Sequence, residues 1–159
     1  MGMVQLPQFR MSADEQIVPL RYEHLQRLRL TEDTIEYTKH IPGYLDYVWD
    51  NSADGWSWAA TARGKVIAVF GIRMLWTGLA EMWMVPGDSL NRHAISLVRG
   101  ARAVTDSALS DYGVRRLQIT VKVENDIAFR FAKALHFEVE SIMRRFGPEG
   151  SDYYMMVRF

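Results

Sequence analysis

From Leu117 to Glu124 apolar and polar residues alternate without a fault: Leu117, Ile119, Val121 and Val123 against Gln118, Thr120, Lys122 and Glu124. Strand side chains point alternately to two faces, so this segment reads as a strand buried on one side. Asn125, a good N-cap residue, follows at once, and Asp126 to Leu135 reads as a short helix. Val139 to Arg145 and Tyr153 to Phe159 flank the turn GPEGSD and read as a closing hairpin. A strand, helix and hairpin in such close order require a sheet with helices laid on it.

The rest of the chain extends that pattern. Trp56 to Ala62 and Val66 to Leu75 form a hairpin about Arg63-Gly64-Lys65, and Leu79 to Val85 makes the next strand. On that strand Glu81, Trp83 and Val85 share one face. Pro86-Gly87 ends it, and Asp88 or Ser89 caps a long helix reaching Leu109. The repeat of Leu90, Ala94, Leu97, Val98, Ala101, Val104 and Ala108 gives this helix one buried face. Ahead of the strands, short helices are expected after Arg21, after Thr31 and over Tyr44 to Trp49, with a turn at Asn51 to Gly55. Residues 1–20 read as an extended arm with one strand near Gln16 to Leu20. The expected fold is one α/β sandwich around a mixed, mostly antiparallel sheet.

Composition excludes several classes of function. Lys+Arg and Asp+Glu both total 19, so bulk charge does not favour nucleic acid as a partner. The absence of cysteine removes disulfides, thiolate nucleophiles and Cys-ligated zinc. His24, His40, His93 and His136 show no metal-ligand spacing, so no metal site is expected. No apolar run spans a bilayer, and residues 1–15 lack the features of a signal peptide, so cytoplasmic residence is expected.

The second half of the chain resembles the GNAT acetyltransferases. Asn125, Ala128, Phe131 and Phe137 match that family's Asn-x-x-Ala, aromatic helix and Gly-Phe pattern. The long helix after Val85-Pro86 matches the helix whose N-terminal loop holds the pyrophosphate of CoA. There the resemblance implies acetyl-CoA contacts from Leu90, Asn91, Arg92, His93 and Ala94, where backbone amides and the helix dipole favour an anion. It further implies that backbone amides at Met84 and Val85 hold the acetyl carbonyl. Asn125 and Ala128 would reach the cofactor from a gap between strands, and Glu81 would be the base that deprotonates an amine acceptor. Three departures stand out. Leu90 and Arg92 replace the usual loop glycines, with Arg92 able to supply charge. Ala132 stands where a Tyr normally protonates the leaving thiolate, and His136 replaces the Gly before Phe137. On this alignment residues 1–159 form a single GNAT-like domain: arm 1–20, acceptor-side helices 21–52, and sheet with cofactor core 56–159.

A narrower resemblance is to the GNAT-like proteins of tailed bacteriophages, carried by WMVPGDSLNRHAISLVRGAR, RRLQITVKVEN and FGPEGSDYY. It implies an alternative role as a non-catalytic virion protein, with other virion proteins as partners and host cytoplasm or virion as location. Several residues also have plainer readings. Glu81 can pair with an Arg at a strand end, and His93 can be a half-buried surface residue. Asn125 is fully explained as a cap. Arg99 and Arg102 read as a solvated face. Exposed sheet edges leave a homo-oligomer open.

Overall fold

The computed structural model describes residues 12–52 and 56–159. The expected arm over 1–11 and the expected turn at 53–55 lie outside the described residues. The elements run β1 (Glu15–Pro19), α1 (Tyr22–Arg27), α2 (Glu32–Thr38), α3 (Tyr44–Asn51), β2 (Ser57–Ala62), β3 (Lys65–Trp76) and β4 (Leu79–Pro86). A 3-10 turn over Leu90–His93 then leads into α4 (Ala94–Asp111), followed by β5 (Arg116–Lys122), α5 (Asp126–Ala134), β6 (Glu138–Met143) and β7 (Tyr153–Arg158).

The strands form one seven-stranded sheet in the order β1-β2-β3-β4-β5-β7-β6. Every neighbouring pair is antiparallel except β4 and β5, which are parallel. That exception follows from connectivity. Tight turns join β2 to β3 and β3 to β4, whereas the 3-10 turn and α4 separate β4 from β5, long enough for a parallel crossover. The β2–β3 turn has Arg63 and Gly64 at φ 50° and 77°, the left-handed pair that a two-residue hairpin needs.

Helices cover the sheet on both faces. Alternation sends Ala80 and Met82 into a core with Leu97, Ala101 and Val104 of α4 and Ala132 and Leu135 of α5. Val85, Val69 and Ala59 point the other way, against Leu25 and Leu28 from the α1 segment and Val48 of α3. The β5 alternation is realised as expected, with Leu117, Ile119 and Val121 buried and Gln118, Thr120 and Lys122 half-buried.

Three expectations need correction. Neither Asp88 nor Ser89 caps α4. A 3-10 turn intervenes, the Ser89 side chain makes no capping bond, and Asp88 faces Lys65 at 3.8 Å. Asn51 belongs to α3 rather than to a turn, its amide donating to the Tyr47 carbonyl at 2.8 Å. Arg102 is not solvated: its guanidinium donates to the Ala134 carbonyl at 2.6 and 3.2 Å and closes the C-terminus of α5. Among the described residues no helix is long and apolar enough to cross a membrane, and no three His, Asp or Glu side chains stand together as a metal site would need.

Candidate active site

The parallel pairing of β4 with β5 covers only Leu79 with Arg116, Ala80 with Leu117 and Glu81 with Gln118. Beyond Glu81 the two strands part, while β4 stays paired to β3 as far as Pro86 and β5 to β7 as far as Lys122. A gap therefore opens between the C-terminal halves of two parallel strands. The helical segments that follow both strands begin at this same end, so their N-terminal amides and positive dipole ends lie at its mouth. Ligands of open α/β sheets bind at such crevices.

The backbone of β4 divides between its neighbours. Gly87 N–H donates to the Ile67 carbonyl at 2.8 Å, which makes Gly87 and Ile67 a hydrogen-bonded pair of the antiparallel ladder. Alternation then directs the Val85 N–H at β3 and the Met84 N–H into the gap. The register of β4 shows no bulge near Met84 or Val85; its irregularity lies at Met74 and Trp76. Of the two amides singled out in the sequence, Met84 alone faces the gap.

At the mouth, the amides of Leu90 and Arg92 donate back to the Gly87 and Ser89 carbonyls at 3.3 and 3.1 Å. Asn91 and Arg92 are exposed, and His93 and Ala94 are half-buried. The Ser89 hydroxyl is buried and has no hydrogen-bond partner among the described residues. A buried hydroxyl left unpaired is costly, and its place beside the first turn of the 3-10 segment suits an acceptor that the protein itself does not supply. The His93 side chain reaches across to β1. Its Nδ1 lies 3.1 Å from Glu15, whose other oxygen accepts from Ser96 at 2.9 Å. The Glu15 carboxyl is held below its ordinary value, first by a hydrogen bond from Ser12 and then by Ser96 and His93, against the opposing effect of burial. The link joins β1 to the start of α4 across 78 residues of sequence, and neither Glu15 nor Ser96 carried any signal that could have announced it.

Across the gap, Asn125 caps α5, its side-chain oxygen accepting from Ala128 N–H at 3.0 Å. Ala132, where the resemblance places the thiolate-protonating Tyr, is fully buried in α5. His136 adopts φ 71°. Phe137 N–H bonds back to the Ala132 carbonyl and His136 N–H to that of Lys133, both at 3.0 Å, which is a Schellman closure. The glycine usual at this position serves that left-handed conformation, and here histidine adopts it instead.

Glu81 lies on the face shared with α3. Arg73 stands 3.7 Å from one of its oxygens and Gln118 donates to the other at 3.4 Å, both longer than a tight bond. Arg73 also donates to Asn51 of α3 at 2.9 Å. Gln118 accepts from Arg116, and Arg116 holds Glu140 of β6 through two bonds of 2.6 and 2.8 Å. Glu81 faces an arginine, and its side chain keeps 30% exposure. Beside it the Trp83 indole lies over Gly71, where a β-carbon would come within 2.8 Å of the ring. Trp56 and Trp58 are core, and Trp76 is 66% exposed.

No protein-family model matches the sequence, and no curated protein matches it. Solved structures do match. A GNAT-family acetyltransferase from Bacillus anthracis superposes with a TM-score of 0.70 over 96% of this chain and 98% of that one, at 13% identity. Ard1 from Thermoplasma volcanium gives 0.70 over 92% and 97%, at 17% identity. The ribosomal-protein acetyltransferase RimL, solved in complex with coenzyme A, gives 0.65 over 93% and 95%, at 15% identity. The chain has the GNAT fold. Identities this low carry the fold alone.

Proposed function

We propose that the protein binds acetyl-CoA in the β4–β5 gap and transfers the acetyl group to an amine. One observation carries the reading: a parallel strand pair that opens after three residue pairs, with two helical N-termini at its mouth and an orphaned Ser89 hydroxyl beside them. The residues fit the ligand. Ser89 and Arg92 would hold the pyrophosphate, assisted by the backbone from Asn91 to Ala94. Met84 N–H would hold the acetyl carbonyl, as a backbone donor aimed where negative charge develops. Glu81 would accept the proton of the attacking amine. Bound acetyl-CoA supplies an activated thioester. The chain offers no side-chain acid at Ala132 to protonate the departing thiolate, so water takes that place at a cost in rate of about a hundredfold or more. SpeG from Vibrio cholerae, a spermidine N-acetyltransferase of the same fold, and the protein-directed RimL set the acceptor classes to try first.

Calorimetric titration with acetyl-CoA, with CoA as control, tests the reading. Micromolar binding weakened by Arg92→Glu is expected, and silence at millimolar ligand overturns it. In a turnover assay Glu81→Gln should lower kcat by about a hundredfold while KM for acetyl-CoA stays within a factor of about two.

A second reading is favoured by Ala132 and by the missing loop glycines: a non-catalytic virion protein of tailed-phage type that keeps the fold. Mass spectrometry of purified particles separates the two. Stoichiometric presence in particles, together with no ligand binding, selects the virion role. A location in host cytoplasm and assembly as a homo-oligomer belong with either reading.

A further inference from the structure

At the β2–β3 turn Arg27, Arg29, Arg63 and Lys65 line one open pocket with Gly64 and Val66. The chain as a whole carries no net formal charge, so four cations here are a local concentration. Two carboxylates answer them: Asp14 meets Arg63 at 2.9 Å, and Asp88 stands 3.8 Å from Lys65. Arg27 donates to the Gly64 carbonyl at 2.6 Å, which orients its guanidinium over the turn without cancelling its charge. Arg29 forms no ion pair among the described residues. Counting Asp14 and Asp88 against the four cations leaves a local surplus of about two positive charges, the footprint of an anion site.

The turn supplies a second, independent observation. Arg63 is held at φ 50° in the left-handed region, where Asn or Gly is the low-cost choice for such a hairpin. A strained non-glycine residue on an exposed turn points to a role for its side chain. The pocket also touches the segment leading to the gap. Leu30 bridges Gly87, and Asp88 N–H donates to the Arg29 carbonyl at 2.8 Å.

We infer that Arg27, Arg29, Arg63 and Lys65 form a phosphate-binding site. Arginine forks match phosphate oxygens in pairs, and a lysine adds a point charge. Two sources supply that chemistry: free phosphate, or the 3′-phosphate of CoA reaching over from the gap. The site itself does not depend on the acetyl-transfer reading.

The test is an amide NMR titration with inorganic phosphate at fixed ionic strength, chloride replacing phosphate in the control. Shifts should centre on Arg63, Gly64 and Lys65. Arg63→Gly is the informative variant, because glycine relieves the turn and the fold survives. It should weaken phosphate binding by about tenfold, and Arg29→Gln should do the same. CoA and dephospho-CoA, which differ only by the 3′-phosphate, distinguish the sources. A preference for CoA that Arg63→Gly abolishes assigns the site to the cofactor, and phosphate binding without such a preference assigns it to a free phosphate. Turn amides that move no more with phosphate than with chloride overturn the proposal. Loss of acetyl-CoA binding alone leaves the phosphate result standing, so the two proposals fail separately.

Discussion

His136 shows how one residue can fit a position and still burden it. The Schellman closure of α5 needs a left-handed residue there, and a side chain in that conformation costs about 1 kcal/mol. His136→Gly should therefore raise stability by about 1 kcal/mol and the melting temperature by about 2–4 °C, checked by thermal unfolding. His24 makes a different use of the same side chain. Its Nδ1 accepts from Arg21 N–H at 2.9 Å, the service that a Glu or Gln performs at the third position of many helices. Burial is the main cause that holds its imidazole below the ordinary value of 6.5. The folded chain then resists a proton that the unfolded chain accepts. Stability is intact above pH 6.5 and declines as pH falls below it toward the folded value. His24→Gln, which keeps an acceptor without titrating, should flatten the unfolding-midpoint profile over that range. The sequence disclosed neither role fully. It marked His136 as a departure from a pattern, but the reason is a dihedral angle. It offered nothing for His24, because a histidine three residues into a helix has no diagnostic spacing.

The elements were legible where local pattern decides them and opaque where distant partners do. Alternation exposed β5, Asn125 announced α5, and Thr31 announced α2, whose Thr34 N–H it does receive at 3.3 Å. At the start of α4, Ser and Asp before an apolar run suggest a cap, while the chain there first makes a tighter turn. Helical spacing places Arg102 on a solvent-facing side because it says nothing of the carbonyl that awaits it 32 residues on. That contact carries a prediction. Arg102→Ala removes two charge-assisted bonds from the end of α5 and should destabilise the protein by about 1–3 kcal/mol, measured by urea unfolding. Arg102→Lys, with one compact donor in place of a planar fork, should recover part of the loss.

For the whole molecule, the mixed sheet with helices on both faces followed from element order and connection length, and the strand gap did not. Its existence depends on how far β4 and β5 stay in register, which no alternation of residues records. The candidate site is likewise half legible. Glu81 stands out in the chain as a candidate, whereas the true start of α4, the Ser89 hydroxyl, the Arg73 partner and the Glu15–His93 link come only from the folded arrangement.

The three residue pairs that join β4 to β5 are also a seam. On one side lie β1 to β4 and on the other β5, β7 and β6, and only that short ladder unites their backbones within the sheet. A ladder so short resists local opening less than the pairings on either side of it. Amides of Ala80 and Gln118, which point across that ladder, should therefore exchange with solvent faster than those of Phe70 and Ile119, which point into the pairings on either side. A molecule lodged between the two halves would act as a rivet. Native-state hydrogen exchange should show it slowing the seam and both flanking strands together, including amides it never touches.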